Sequence, residues 1–299
     1  LAGAVSTGTH GTGNQLPCLS ALVTAFELVT AQGEVLTCNA QQNSDIFHAG
    51  RVSLGSLGII TKLTLKNRPR YKLKEHVQLV RLQDILTQMN DWKTQHRHIE
   101  SFVFPFHDQA ILKTLDETSA AIQPKKDSWP SDDTLLTLCC EMTKKMPKSV
   151  YHLQKLVSLF VKESKQVNWS SDIFPSPRNT KFNEMEYQVP VEKGMACLDE
   201  IIQTFRRKRL PCFFPIEVRY VKEDNIWLSP FYQQDALSIS VHQYAKQDYG
   251  AIFHEIEPIF WRYGARPHWG KLHHLKAAAL ASLYPKWNDF KAIREELDP

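Results

Sequence analysis

The chain has 299 residues, with 36 Lys and Arg against 32 Asp and Glu, 42% hydrophobic and 23% charged residues. That length holds about two domains and buries roughly 75% of the unfolded surface, and the ordinary composition excludes disorder or a coiled coil as the main state. The net charge of +4 comes without a long Lys/Arg block, which speaks against nucleic acid as a partner.

The six cysteines, Cys18, Cys38, Cys139, Cys140, Cys197 and Cys212, form no CxxC pair. They are expected to be reduced, mostly buried thiols, which points to a cytoplasmic location. No run of about 18 apolar residues is present, so no membrane-spanning helix is expected, nor is there a signal peptide. The chain opens at Leu1 directly in a motif and stops at Leu297-Asp298-Pro299, as expected of a fragment of a longer gene product.

Residues 3–13, Gly-Ala-Val-Ser-Thr-Gly-Thr-His-Gly-Thr-Gly, hold four glycines and four hydroxyl residues. Such a segment suits either a tight surface loop or a concave anion site made of backbone N–H groups and hydroxyls. Leu22 to Thr30 predicts a strand, and the Gln32-Gly33-Glu34 turn followed by Val35-Leu36-Thr37 predicts a hairpin. Asn43 or Ser44 is placed to cap a short helix running to Arg51. After Gly55-Ser56-Leu57-Gly58, the run 59–66 predicts a half-buried strand with Ile59, Thr61, Leu63 and Leu65 on one face. Asn67-Arg68-Pro69-Arg70 breaks it and marks the domain boundary.

Farther along, strands are predicted at 99–106, 109–115, 135–142, 183–189, 213–221 and 237–244, and a polar loop at 119–133. Helices are predicted at 150–161, at 192–207 with Met195, Leu198, Ile202 and Phe205 at helical spacing, and at 249–263. The order implies an α+β fold with an antiparallel sheet and helices on one side.

Two strands carry unusual polar faces. Period two puts Glu217 and Arg219 on one side of 214–221, and Ser238, Ser240, His242 and Tyr244 on one side of 237–244. Antiparallel pairing would bring these faces together as one wall. A solvated outer sheet face is the alternative. The loop Arg266-Pro267-His268-Trp269-Gly270-Lys271-Leu272-His273-His274 follows a helix and clusters cations with an indole. No carboxylate or Cys neighbour in sequence completes a ligand set for His273 and His274, so no metal is expected. His96 and His98 are expected at the surface.

The segments Ser-Thr-Gly-Thr-His-Gly-Thr-Gly (6–13), Phe-Asn-Glu-Met-Glu-Tyr-Gln-Val-Pro (182–190), Glu-Val-Arg (217–219), Ser-Val-His-Gln-Tyr (240–244) and Arg-Pro-His-Trp-Gly-Lys-Leu-His (266–273) occur in this order. Together they resemble the sugar-1,4-lactone oxidases, the gulonolactone, galactonolactone and arabinonolactone oxidoreductases, with alditol oxidase as a relative. These are flavoproteins of the vanillyl-alcohol-oxidase group, which have a PCMH-type FAD-binding domain. The likeness runs over nearly the whole chain, and His-Trp-Gly-Lys is its most specific piece.

The resemblance implies that residues 1–66 are the second part of the FAD domain. Residues 67–299 would be an α+β cap with an antiparallel sheet, whose tail 264–299 returns to the flavin. Ser6, Thr9, His10, Gly11 and Gly13 would line FAD, Gly58 and Ile60 would offer backbone to its adenine end, and His268 would also face the cofactor. The implied reaction is hydride transfer from a C–H bond beside a sugar hydroxyl to the flavin, with oxygen or another electron acceptor closing the cycle. Arg219 would supply two donors, and Lys271 a second cation or a base. Glu217 would orient Arg219 and bind a substrate hydroxyl, while His242 and Ser240 would contact further hydroxyls. The substrate is a sugar lactone or, in the alternative, a polyol; a non-catalytic flavin- or carbohydrate-binding remnant is the rival from another class. The likeness also allows association with a membrane surface. The family's Arg-Gly-x-Gly-His-Ser loop, whose His often bonds the flavin covalently, has no match here, so weak flavin binding is expected of this piece alone.

Overall fold

The computed structural model describes residues 1–125, 132–175 and 179–298. Two antiparallel sheets organise them. Helix α1 (Ala2–Ser6) takes up the first part of the glycine-rich segment, so the expected loop is confined to the residues after it. Strand β1 (Val23–Val29) pairs with β2 (Val35–Asn39) in the expected hairpin, then helix α2 (Ser44–Gly50) leads to β3 (Ile59–Leu65), which flanks β1 on its other side. A register shift between Glu27 and Leu28 inserts an extra residue in β3. The bulge interrupts the expected alternation: Ile60, Leu63 and Leu65 pack on the core, whereas Ile59 is 70% exposed.

The larger sheet begins with β4 (Lys72–Arg81). It continues through helix α3 (Leu82–Trp92), β5 (His98–Val103) and β6 (Gln109–Glu117). Helices α4 (Asp132–Lys145) and α5 (Val150–Phe160) precede β7 (Ser164–Trp169) and the short helix α6 (Ser170–Ile173). Then come β8 (Phe182–Pro190), helix α7 (Val191–Lys208), β9 (Ile216–Val221), β10 (Ala236–Tyr244), helix α8 (Gly250–Arg262) and the two-residue β11 (Arg266–Pro267). Helices α9 (Ala277–Leu283) and α10 (Trp287–Leu297) close the described chain. The strand order is β11-β8-β10-β9-β5-β6-β4-β7.

The segment 135–142 is helical, against the expected strand. Leu136, Cys139, Cys140 and Thr143 recur at helical spacing and turn toward the interior. The expected loop 119–133 ends where α4 begins at Asp132; its residues 126–131 lie outside the described residues. All six cysteines are free thiols, and Cys139 alone among them is not fully buried.

One face of the large sheet is apolar. Met185, Tyr187, Val189, Val218, Tyr220, Leu237, Ile239 and Val241 lie in one core with α3, α7 and α8, as helices on one side require. A second core joins the small sheet to the 226–236 segment and to α9 and α10 through Phe26, Leu28, Phe47, Ile226, Phe231, Leu280 and Phe290. The tail therefore packs against the first 65 residues. The opposite, polar face of the large sheet is left to carry the chemistry.

Candidate active site

The loop after α1 is clamped at both ends, to the short turn at Leu19 and to the large sheet. The Thr9 carbonyl accepts the Leu19 amide at 2.8 Å, and the Gly13 amide donates to the Tyr220 carbonyl at 2.7 Å. Thr12 Oγ1 donates to the Ile99 carbonyl, and His98 Nδ1 donates to the Thr12 carbonyl at 2.7 Å. His98 is thus buried, not at the surface as expected, because it fastens the loop to β5. Gly13 has φ +153°, and a Cβ there would lie 2.6 Å from the Arg97 carbonyl, so the loop crosses β9 only with glycine at this position.

Between the clamps, the amides of His10, Gly11 and Thr12 find no protein acceptor among the described residues. A Cβ on Gly11 would meet nothing within 4 Å. Three successive free donors beside an open glycine form a cradle for an electron-rich edge of a ligand. The flavin that the fold family implies fits these residues on that observation.

His10 turns its ring from the loop to β8, with Nε2 2.6 Å from Glu186 Oε1. The same carboxylate oxygen accepts Gln188 Nε2 at 2.8 Å and Ser238 Oγ at 2.9 Å. The registers place Glu186 opposite Ser240 and Glu184 opposite His242 between β8 and β10. Between β9 and β10, Ser240 faces Glu217 and Ser238 faces Arg219. The two predicted polar strand faces meet as one wall. Glu217, Ser240 and His242 are buried at 4%, 4% and 5% exposure, which removes the solvated-face alternative for them.

Arg219 is held from two strands, Nε by Glu100 Oε2 of β5 at 3.2 Å and a terminal nitrogen by Glu217. Lys271 Nζ pairs with Glu184 Oε2 and lies 4.0 Å from Glu186 Oε2. Glu184 also faces His242 Nε2 at 3.3 Å, so one carboxylate links the lysine and the histidine.

The tail loop is pinned along β8. The His268 and Leu272 amides donate to the Glu186 and Glu184 carbonyls, both at 3.0 Å. Trp269 stacks on Tyr284 at 5.1 Å and donates Nε1 to the Leu228 carbonyl at 2.6 Å. Buried Arg266 donates to the Leu283 and Tyr232 carbonyls at 2.9 and 2.8 Å. These contacts present His268 and Lys271 to the wall.

Several predicted residues stand outside this cluster. Ser6 is buried in α1, and its carbonyl accepts the Leu54 amide. Ile60 lies in β3 of the small sheet and Gly58 just before that strand, where a Cβ would lie 2.4 Å from the Val29 carbonyl. His274 has a carboxylate neighbour that its local sequence does not show: Nδ1 lies 2.5 Å from Glu257 Oε2 on α8. Glu100, Glu184, Glu186 and Gln188 are the residues the sequence left without roles. The alternation Glu184, Glu186, Gln188 within 182–190 is the signal that marks a polar face there.

A nitrogen of His10, a Glu186 oxygen and a nitrogen of His268 lie within 4.8 Å of one another. This set has the donors of a divalent-cation site, but His10, Gln188 and Ser238 already crowd one Glu186 oxygen. The arrangement acts as a hydrogen-bond hub.

The hub shifts its members in opposing ways. Burial alone would raise the Glu186 carboxyl; His10, then His268 and Lys271, hold it well below the usual range. Burial also opposes ionisation of Glu184, and His242 and Lys271 bring it down to about 2. Burial lowers His268 to about 4 against the pull of Glu186, and its Nδ1 accepts the Gly270 amide at 3.0 Å, as a neutral ring must.

Both folded-state values lie below the ordinary ones, 6.5 for His268 and 4.5 for Glu184. The His268 contribution to stability is present above pH 6.5 and lost toward 4; that of Glu184 is present above 4.5 and lost toward 2. The melting temperature is therefore expected to fall in two windows as pH drops, with His268→Gln flattening only the upper one. A calorimetric pH series that shows the same upper slope in wild type and variant would contradict this.

The fold is the α+β class with an antiparallel sheet that is expected of a PCMH-type flavoprotein. Over 100% of this chain and 73% of the other, the structure superposes on "Solvent-stable cholesterol oxidase" with a TM-score of 0.79 at 17% identity, a likeness of fold. The family model for D-arabinono-1,4-lactone oxidase matches residues 63–299. The chain is 36% identical to an L-gulono-1,4-lactone dehydrogenase of Mycobacterium tuberculosis and 30% identical to an L-gulonolactone oxidase of Scyliorhinus torazame, covering 100% of this chain and 70% of each relative. The chain belongs to the D-arabinono-1,4-lactone oxidase family, and with it to the FAD-dependent oxidoreductases acting on CH–OH groups.

Proposed function

We propose that this chain oxidises a sugar-1,4-lactone at a carbon bearing a hydroxyl. The observation that carries the proposal is the convergence of Arg219 with the buried Glu217, Ser240 and His242 on one sheet face, which Lys271 reaches from the tail loop, beside a loop with three free amides. FAD, when bound, supplies the hydride acceptor. His10, Gly11 and Thr12 would hold it from the loop and His268 from the tail. In that arrangement residues 1–66 serve as the second part of the FAD domain, residues 67 onward as the cap, and the tail 264–299 as the return to the cofactor.

The protein's own part is binding and charge. Arg219 Nε and one terminal nitrogen are committed to Glu100 and Glu217; the other terminal nitrogen has no protein partner among the described residues and is the donor offered to a substrate oxygen. Lys271 brings a second cation to the wall, where it would stabilise negative charge developing on a substrate oxygen. Glu217 and Ser240, directly opposite each other, would bind further hydroxyls, and His242, fixed by the Pro215 carbonyl at 3.2 Å and by Glu184, closes that end. Such a row of donors and acceptors suits a polyhydroxylated substrate.

The test is anaerobic mixing of the FAD-loaded protein with L-gulono-1,4-lactone, D-arabinono-1,4-lactone or an open-chain polyol. Bleaching of the oxidised-flavin band is expected with a lactone, and peroxide on admission of air identifies oxygen as the acceptor. Bleaching with the polyol alone would replace this substrate class by an alditol, and none with any would leave a binding remnant. Among the described residues no helix is long and apolar enough to cross a membrane.

A further inference from the structure

We propose that Glu100 and Lys113 are positioning residues that set the rotation of the Arg219 guanidinium, through a row of alternating charges that crosses four strands of the sheet and is capped by a glutamine on a fifth. The inference rests on the role given to Arg219 above. From the edge inward, Gln166 Nε2 of β7 donates to Glu75 Oε1 of β4 at 2.6 Å. Lys113 Nζ of β6 then bridges Glu75 Oε2 at 3.2 Å and Glu100 Oε1 at 3.1 Å. The other oxygen of Glu100 receives Arg219 Nε, and Arg219 ends the row on Glu217.

The register explains the inner part of the row, and Glu75 joins it along the diagonal to Lys113. Glu100 stands directly opposite Lys113 on one side and Arg219 on the other. Glu75 and Glu100 are both buried, so each carboxylate depends on protein partners in place of water. Burial opposes the Glu100 charge, and Lys113 and Arg219 restore it.

A buried ion-pair row adds little net stability relative to apolar packing of the same volume. Its consequence here is geometric. An arginine gripped by Glu217 alone, on its own strand, could swing about that contact. Gripped also through Nε from the neighbouring strand, the guanidinium plane is fixed, and its free terminal nitrogen has one direction. Lys113 keeps Glu100 turned toward Arg219 and ionised. Phe102 is the residue opposite Glu217 on β5, so no second carboxylate on that strand can replace Glu100 there.

The experiment uses Glu100→Gln, Lys113→Met, the double variant and Arg219→Met in the FAD-loaded protein. Glu100→Gln keeps shape and removes charge. It is expected to lower the limiting rate of flavin reduction by a sugar lactone about tenfold, as for one charge-assisted hydrogen bond, with the melting temperature nearly unchanged. In the flavin-free chain, phenylglyoxal labelling of Arg219, followed by peptide mass spectrometry, is expected to speed up. Because Lys113 acts only through Glu100, the double variant should reduce no more slowly than Glu100→Gln, and Lys113→Arg should recover most of the wild-type rate. The double variant also answers the question if Lys113→Met alone fails to fold. Wild-type reduction and labelling in Glu100→Gln, or an additional rate loss in the double variant, would overturn the proposal. If Arg219→Met itself reduces at the wild-type rate, the role of Arg219 falls first and the row falls with it.

Discussion

Lys271→Met is expected to slow flavin reduction by a sugar lactone by roughly 100-fold, as loss of one preorganised charge donor does. The change removes the ammonium and keeps an apolar stem of similar length. In the structure that ammonium pairs with Glu184 and approaches Glu186, at the junction of tail loop and sheet wall. Glu184 retains His242 as a partner in the variant, and the lysine is only half-buried, so the stability cost should stay near 1 kcal/mol. The loop itself is held by Trp269, Arg266 and the backbone bonds to β8, none of which uses the lysine charge. A purely structural counterion to Glu184 predicts a different pattern. In that case Lys271→Met would lower the melting temperature, and adding Glu184→Gln would restore both stability and rate. If Lys271 acts on the substrate, the double variant regains stability and stays slow. Stopped-flow reduction of the two variants beside their melting curves separates the outcomes.

Much of this site was legible because strands announce their faces. The period of two put Glu217 and Arg219 on one face of 214–221, and Ser240 and His242 on one face of 237–244; the pairing of β9 with β10 then joined the two faces. The structure adds what local patterns cannot contain. His10 and Glu186 are 176 residues apart, and Glu100 and Arg219 are 119 apart; the loop after α1 folded onto β8 joins the first pair, and the pairing of β9 with β5 joins the second. The failures have equally local causes. The run Leu135-Leu136-Thr137-Leu138-Cys139-Cys140 is too apolar for periodicity to distinguish strand from helix, and burial of residues 136, 139 and 140 on one side decided for helix. In β3 a single bulge reversed the alternation, an event fixed by pairing with β1 and invisible in β3 alone. His98 looked like a surface histidine because its partner is a backbone carbonyl 86 residues away.

Glu217→Gln is expected to lower kcat/KM for the lactone about 30-fold, close to 2 kcal/mol for a charged, buried hydrogen bond. The side chain is 4% exposed and contacts Arg219 on its own strand, with Ser240 directly opposite. Glutamine keeps the volume and still offers one oxygen to the guanidinium, and Glu100 keeps Arg219 ion-paired, so the fold should melt within a few degrees of wild type. What disappears is the negative charge that accepts a substrate hydroxyl. If Glu217 served only to orient Arg219, Glu217→Gln would slow every aldonolactone by the same factor. If it also binds the hydroxyl, the loss should be larger for a lactone that carries that hydroxyl than for its deoxy analogue, and the analogue should be nearly indifferent to the substitution. Equal losses with both lactones would assign Glu217 to Arg219 alone. Steady-state kinetics with the matched pair, at a pH well above the carboxylate range, makes the measurement.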